Sequence, residues 1–267
     1  MPAPLEGLLV TLAKRPYVFG FLACYLIAAL RHLGPRRTLA LTVIGYLVAW
    51  SSEASSIRTG FPYGLYRYLV GPGGIDPREP LVLGVPLFDS ISYVFLAYAS
   101  YAVALLVLDA DPHGPARRSA GVALAAAALF CAIDTIVDPV ALRGERWFLG
   151  RIYDYPGGGA HFGVPWTNYA GWLLVGFLII FLFQRADARL GAPPARAPRG
   201  GPWPGALLYL AVVAMNVGIA FRIGEPGIGL ASLATALPIA ALLAARALGP
   251  PRPGGPEPPR TKTDAAV

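Results

Sequence analysis

Three acidic side chains lie inside long apolar stretches of this sequence, where a charged group is costly to bury. Glu53 stands near the end of one stretch, and Asp134 and Asp138 stand near the end of another. Residues with i, i+4 spacing share one helical face, so Asp134 and Asp138 are expected to be close neighbours. Two carboxyl groups so close in a medium of low dielectric do not ionise together easily, so one of them keeps its proton. The spacing therefore predicts a buried site that can donate a proton.

Further polar side chains stand at the ends of the same group of apolar stretches. If the stretches cross a membrane in alternating directions, the end of the second, the start of the third, the end of the fourth and the start of the fifth meet at one face. We therefore predict a single site with Asp138, Asp134 and then Glu53 as the candidate catalytic acids. The candidate substrate-binding residues are Arg58, Tyr63, Tyr66, Asp89, Tyr153, His161, Trp166 and Asn168.

The candidate binding residues differ in the chemistry that they offer. Arg58 is expected to orient a carboxylate. A water molecule is expected to be held by Asn168, by a second carboxylate or by a tyrosine hydroxyl. His161 has two interpretations, as a proton relay and as a structural loop residue. Aromatic faces attract cations, and the predicted aromatic wall consists of Tyr63, Tyr66, Tyr153 and Trp166.

Residues 52–68 carry an unusual density of functional groups where an apolar stretch ends. They include one acid, two arginines, three tyrosines and two glycines. Gly60 and Gly64 permit tight turns, and Pro62 stiffens the segment between them. The segment is expected to form an ordered roof over the site. Its alternative interpretation is an interfacial belt of aromatic side chains and arginines.

The acids also have an interpretation as ion-pair partners. Arg143 and Arg146 follow Asp138 by one or two helical turns, and Arg58 lies in the roof. We expect at least one acid to pair with an arginine, which would leave another free to act.

Two Asp-rich motifs can also hold a magnesium-diphosphate between them, as in membrane prenyltransferases. The second close pair of acids, Asp109 and Asp111, falls on the opposite membrane face in the topology above. Cysteine and histidine are too few for a zinc site. The sequence therefore predicts no metal site and no cofactor.

Composition identifies the elements that must position these residues. Hydrophobic residues make up 55% of the chain and charged residues 14%, with a mean hydropathy of +0.55. These values predict an all-α, polytopic integral membrane bundle in the cell membrane, with about seven (six to eight) transmembrane helices. The net charge of +7 is spread over the loops, so we predict no nucleic-acid partner. The predicted spans cover residues 16–33, 38–56, 86–108, 119–141, 165–185, 204–222 and 227–246.

The predicted domain organisation is simple. Residues 2–15 should form an interfacial lead-in, and residues 1–248 a single transmembrane domain with a flexible connection at 186–203. Proline and glycine dominate residues 249–267, which we predict to be a disordered tail.

Four short motifs carry a family resemblance. They are residues 59–64 (TGFPYG), 84–86 (GVP), 134–139 (DTIVDP) and 162–172 (FGVPWTNYAGW). Together, and in this order, they resemble the carotenoid-biosynthesis membrane proteins that include the carotenoid 1,2-hydratases and the bisanhydrobacterioruberin hydratases. The likeness covers roughly residues 40 to 180.

The resemblance implies an integral membrane hydro-lyase that adds water to the terminal isoprenoid double bond of an acyclic or monocyclic carotene. Its partners would be that carotenoid, held within the bilayer, and the surrounding lipids. Two other hypotheses remain open. One is another membrane enzyme of carotenoids or prenyl lipids, such as a cyclase or an elongase, and the other is a proton-coupled transporter.

Overall fold

The protein is a bundle of long helices, which the computed structural model describes for residues 3–191 and 200–249. Short two-residue strands pair in the loops at one end of the bundle. The helices are α1 Ala3–Lys14, α2 Pro16–His32, α3 Pro35–Thr59, α4 Leu87–Val107, α5 Ala120–Ala141, α6 Trp166–Arg189, α7 Trp203–Arg222 and α8 Pro226–Leu248. The strands are β1 Arg67–Tyr68, β2 Leu81–Val82, β3 Val85–Pro86 and β4 Tyr153–Asp154.

Proline and glycine set several of the helix boundaries. Helices α2, α3 and α8 each begin with a proline, which suits the first helical turn because its missing N–H has no intrahelical acceptor there. Helix α3 ends at Thr59 because Gly60 adopts a φ of 80°, a left-handed conformation that favours glycine. This stop turns the chain into the loop that begins at residue 60.

Several helices are long and apolar enough to cross a membrane. Among the described residues these are α4, α5, α6, α7 and α8, and a sixth span results if α1 and α2, bent by 91° at Arg15, count together. Helix α3 has 25 residues but is less apolar, because its last turns carry serines and Glu53. The prediction of an all-α, multi-pass membrane protein is confirmed, with five or six such spans where about seven were predicted.

Helix α4 is the centre of the bundle. Every residue from Tyr93 to Leu106 is buried, as expected for a helix that is apolar on all sides. It contacts α2, α3, α5, α6, α7 and α8. Asp89, in its first turn, is thus placed at one end of the molecular core.

Two loops close the end of the bundle where α4 begins. Residues 60–86 and 142–165 are joined by the antiparallel pairing of β1 with β4, in which Arg67 faces Asp154 and Tyr68 faces Tyr153. Arg15 ties this roof to α2, since its buried guanidinium binds the Glu79 carboxylate and donates to Leu149 O at 2.5 Å. The roof is therefore ordered and covers the ends of α3, α4, α5 and α6.

The other end of the bundle is closed by an ionic cluster. The buried Asp187 carboxylate, near the end of α6, accepts hydrogen bonds from Arg37 at 2.5 Å, Arg117 at 2.8 Å and Arg118 at 2.7 Å. Arg37 lies in the first turn of α3, and the other two arginines precede α5. Three segments are joined at this end, far from Asp89.

The predicted connection and tail lie partly outside the described residues. Residues 186–189, assigned to the flexible connection at 186–203, form the last turn of α6, and α7 begins at Trp203. Residues 192–199 and 250–267 are outside the described part of the chain, which includes nearly all of the predicted tail at 249–267.

Candidate active site

A cavity of about 140 Å³ lies beneath the roof, among the ends of the helices. Side chains of α2, α3, α4, α5, α6 and α7 line it together with residues of both roof loops. Its walls combine four carboxyl groups with aromatic and aliphatic side chains. The acidic members of the lining are Glu53, Asp89, Asp134 and Asp138.

Asp138 is the carboxylate with the most hydrogen-bond donors in this cavity. Its Oδ1 accepts from the Tyr153 hydroxyl, and its Oδ2 accepts from the Tyr155 hydroxyl at 2.9 Å and from Asn168 Nδ2 at 2.9 Å. Both tyrosines belong to the roof segment that contains β4, so the pairing of β1 and β4 positions them. Three donors directed at one carboxylate favour its ionised form.

Asp134 lies one helical turn earlier on the same face of α5, and its surroundings differ. Its Oδ2 accepts from Asn168 Nδ2 at 2.5 Å, whereas its buried Oδ1 has no hydrogen-bond partner among the described residues. Asn168 therefore bridges the two aspartates and uses both hydrogens of its amide group. Asn168 lies in the first turn of α6, and it reaches both aspartates because α6 packs closely against α5.

Glu53 and Asp89 form a second bridged pair. The Tyr68 hydroxyl lies 2.7 Å from Glu53 Oε2 and is also hydrogen-bonded to Asp89 Oδ2. Tyr93, one turn after Asp89, donates to Glu53 Oε1. A phenol has a single hydrogen, so Tyr68 can donate to only one of the two carboxyl groups, and the other contact requires a proton on Asp89 or Glu53.

The roof tyrosines stay protonated as donors. Burial raises the pKa of the Tyr68 phenol well above its ordinary value, and the charges of Asp89 and Glu53 raise it further. Burial and the charge of Asp138 do the same for the pKa of Tyr153 and Tyr155. These hydroxyls therefore donate hydrogen bonds to the carboxylates over the physiological pH range.

Aromatic rings form the wall beside the acids. Tyr93 stacks on Trp172 with 4.6 Å between ring centroids, and Phe130 lies 4.6 Å from the same indole and 5.7 Å from Tyr93. Tyr63 lies within 6.4 Å of both Tyr93 and Trp172. Such faces carry negative electrostatic potential and favour a cation placed against them.

The structure brings most of the predicted site residues together. All three predicted acids line the cavity, and the binding candidates that line it with them are Tyr63, Tyr66, Asp89, Tyr153 and Asn168.

Arg58, His161 and Trp166 do not line this cavity. Arg58 is exposed and donates to the carbonyl groups of Ala54 and Leu83, so the expected contact with a carboxylate is not formed. His161 is hydrogen-bonded to the Tyr169 hydroxyl at 2.5 Å and stacks on Trp166, which is 65% exposed. Trp166 misses the cavity because of its position around the helix: it and Asn168 are two residues apart and point about 200° apart around α6.

The expected ion pairs between the acids and arginines are also absent from the described residues. Arg143 and Arg146 pair with Glu225, which follows α7, and Arg143 also donates to Phe162 O at 2.5 Å. Their side chains therefore fasten α5 and the roof to the turn between α7 and α8. The carboxyl groups of the cavity are left with tyrosine and asparagine donors.

Sequence reasoning missed four contributors to the site: Tyr68, Tyr93, Tyr155 and Trp172. A signal existed for two of them, since Tyr93 stands four residues after Asp89 and Trp172 four after Asn168, each on the same helical face as its polar neighbour. Within the described chain, no trio of His, Cys, Asp or Glu side chains is arranged to hold a metal ion.

Comparison with known proteins bears on the same residues. A family model described as carotenoid biosynthesis protein matches residues 15–240, which include every residue of the cavity. The chain belongs to this family. The family resemblance of the four sequence motifs is thereby confirmed, and the protein is a multi-pass membrane protein of the carotenoid biosynthesis family.

A similar protein has a named activity. The bisanhydrobacterioruberin hydratase of Haloarcula japonica is 34% identical over 195 residues, which make up 71% of this chain. The matched region spans 61% of the relative's own length. No solved structure matches the chain.

Proposed function

We propose that this family member is a hydro-lyase of the cell membrane that adds water to the terminal isoprenoid double bond of an acyclic or monocyclic carotene. The observation that carries the proposal is the cavity in which four carboxyl groups face aromatic walls at the buried ends of the helices. The relative named as a hydratase supports the same reaction class. No organic or metal cofactor takes part in the proposed reaction.

The chemistry begins with a proton transfer to carbon. A carboxylic acid of the Asp134–Asp138 pair, or Glu53, gives its proton to the less substituted carbon of the terminal double bond. The remaining carbon becomes a tertiary cation, which the aromatic wall around Trp172 stabilises. A water molecule then attacks this cation and loses a proton to a carboxylate. The sum is one molecule of water added and no net change in the protonation of the protein.

The size of the cavity fits one end of the substrate. An apolar cavity of about 150 Å³ holds a benzene molecule, so about 140 Å³ takes a terminal isoprenoid unit and not a whole carotene. Phe21 of α2 and Val212 and Met215 of α7 contribute apolar side chains to the lining. The polyene would continue past these apolar side chains toward the lipids of the bilayer.

The proposal is tested by expressing the chain in cells that accumulate lycopene and identifying the carotenoids by chromatography and mass. We expect a product heavier by one water. Asp134→Asn and Asp138→Asn should each lower its formation by about 10²–10⁴-fold. Asp154→Asn is the matched control, because it makes the same substitution in the roof, next to Tyr153. Asp154 pairs with the exposed Arg67 and lies outside the cavity.

Other products would identify other functions. A product with a cyclic end group and no added oxygen would indicate a cyclase. Dependence of product formation on magnesium and an isoprenoid diphosphate would indicate an elongase. Uptake of an unchanged solute into proteoliposomes would indicate transport. Full turnover in both aspartate variants, at equal abundance in the membrane, would refute the assignment of the acid.

A further inference from the structure

We infer that the two bridged aspartates have separate roles, with Asp134 as the proton donor to the double bond and Asp138 as the carboxylate that takes the proton from water. The inference rests on the proposed hydration and assigns its two proton transfers to individual side chains. It also makes Asn168 a positioning residue that keeps the two roles apart. The argument starts from the donors that each carboxyl group receives.

The hydrogen bonds of Asp138 favour its ionised form in the resting protein. Both of its oxygens accept hydrogen bonds, Oδ1 from Tyr153 and Oδ2 from Tyr155 and Asn168. A proton on either oxygen would require the Tyr153 or Tyr155 hydroxyl to turn from donor to acceptor, so Asp138 would lose one of the donors that stabilise its charge. Asp138 is therefore the ionised member of the pair, and it can accept a proton when a stronger acid appears beside it.

Asp134 has the opposite pattern. Within the described ranges 3–191 and 200–249, only Asn168 donates to it, at Oδ2, and Oδ1 is buried without a hydrogen-bond partner. An ionised carboxylate there would keep a negative charge next to that of Asp138 with a single donor, which is unfavourable in a buried site. A proton on Oδ1 removes the charge and leaves an O–H that has no acceptor in the part of the chain that the structure describes. This O–H is free to be donated to a substrate held in the cavity that Asp134 lines.

The two roles form a closed proton cycle. The Asp134 O–H bond breaks and its proton forms a C–H bond with the less substituted alkene carbon, which leaves Asp134 ionised and the neighbouring carbon cationic. The oxygen of a water molecule forms the C–O bond, and one proton of that water passes to Asp138. Transfer of this proton from Asp138 to Asp134 restores the starting state. One water is consumed, and no oxidant or reductant is needed.

Asn168 determines which oxygen of Asp134 carries the proton. Its amide nitrogen donates one hydrogen to each aspartate, at 2.5 Å and 2.9 Å, so it holds Oδ2 of both residues as acceptors. The proton of Asp134 is thereby confined to Oδ1. Asn168→Leu removes both donors at similar volume and should reduce hydration, whereas Asn168→Gln, which keeps an amide, should restore part of the activity.

The test separates protonation of carbon from capture of water by following deuterium. Wild type and variants in membranes are incubated with lycopene in heavy water, and both the hydrated product and the recovered lycopene are analysed by mass. Protonation without water capture is reversible and introduces deuterium into recovered lycopene. We expect Asp138→Asn to lose hydration by about 10²–10⁴-fold but to retain exchange, and Asp134→Asn to lose both.

The outcomes distinguish this inference from the proposed function. The assignment of roles is overturned if Asp134→Asn still exchanges deuterium into lycopene, or if a folded Asp138→Asn protein does not. Either result leaves the proposed hydration intact, provided that wild type forms the hydrated product. Wild type that gives neither hydrated product nor exchange refutes the proposed function itself. If Asp138→Asn unfolds in detergent, Asp138→Glu replaces it, and an equal loss of hydration and exchange in that variant also overturns the assignment.

Discussion

The Tyr68 hydroxyl lies 2.7 Å from Glu53 Oε2 and is bound at the same time to Asp89 Oδ2, although the three residues come from a loop and two different helices. One phenol thus joins α3 to α4 through two carboxyl groups. The bond depends on the roof, because β1 carries Tyr68 and is held in place by β4. The roof and the acids of the cavity are therefore one hydrogen-bonded unit.

Removal of this hydroxyl should weaken both the fold and the activity. Tyr68→Phe leaves two buried carboxyl groups without their shared partner, which costs about 1.5–3 kcal/mol for a hydrogen bond to a charged group. The turnover is expected to fall by roughly 10- to 100-fold. Tyr66→Phe is the comparison, since the Tyr66 hydroxyl makes only a 3.5 Å contact with that of Tyr68. Equal losses in the two variants, by product yield and by thermal unfolding, would contradict the bridging role.

Close packing of α6 against the roof predicts a sharp effect at Gly171. A Cβ atom there would lie 2.5 Å from Tyr63 Cδ1 and 2.7 Å from Pro62 O, so Gly171→Ala must displace the tyrosine or the loop. We expect a loss of about 1–3 kcal/mol in stability, as for other overpacked cores, together with reduced activity. Gly218→Ala, in α7, is the control because nothing lies within 4 Å of the added atom. A normal melting temperature for Gly171→Ala would show that the roof yields easily.

The buried ion pair of Arg15 and Glu79 should matter mainly when it is broken on one side. Arg15→Met leaves the Glu79 carboxylate uncompensated and is expected to cost about 3–5 kcal/mol. The double variant Arg15→Met, Glu79→Met should recover much of that loss, because no unpaired charge remains. Arg67→Met breaks the exposed pair with Asp154 and is expected to cost at most about 1 kcal/mol. Thermal unfolding of the four proteins in detergent tests this order, and a double variant as unstable as Arg15→Met would contradict it.

His161 should not act in proton transfer. It lies outside the cavity against Tyr169 and Trp166, so His161→Asn is expected to keep activity within about a factor of two to three of wild type. Burial lowers the pKa of the imidazole, so folding opposes its protonation. The folded protein then binds fewer protons than the unfolded chain just below the ordinary histidine pKa, and stability falls as the pH falls through that range.

The measurement for His161 compares melting temperatures of wild type and His161→Asn from neutral pH down to pH about 5. Wild type should lose more stability than the variant over this interval. A large loss of hydration at neutral pH in a normally folded variant would restore the proton-relay interpretation.

The helix ends were predictable because apolar runs, prolines and glycines mark them directly in the sequence. Glu53, Asp134 and Asp138 were placed together because acids inside apolar runs have few alternatives and the topology brings those helix ends to one face. Trp172 and Tyr93 were not found, although each stands four residues after a polar site residue, because composition alone does not separate an aromatic side chain that faces lipid from one that faces a cavity. Their positions depend on how α4, α5 and α6 pack.

Two of the remaining differences come from the direction in which a side chain points around its helix. Arg58 follows Glu53 by five residues and Trp166 precedes Asn168 by two, so neither shares the helical face of its polar neighbour. The pairing of Arg143 and Arg146 with Glu225 required knowledge of where α7 ends relative to α5, which local spacing does not contain. Proximity along the chain was a poor guide wherever the direction of the side chain decided the contact.

The arginines around Asp187 have a mechanical consequence for the whole bundle. To part α3, α6 and the segment before α5 at that end, the protein would have to expose a carboxylate that is 1% exposed and separate it from three guanidinium groups. Breaking even one buried pair costs about 3–5 kcal/mol. Separation of the helices at that end is therefore unfavourable, and we expect the bundle to open more readily at the end that carries the roof.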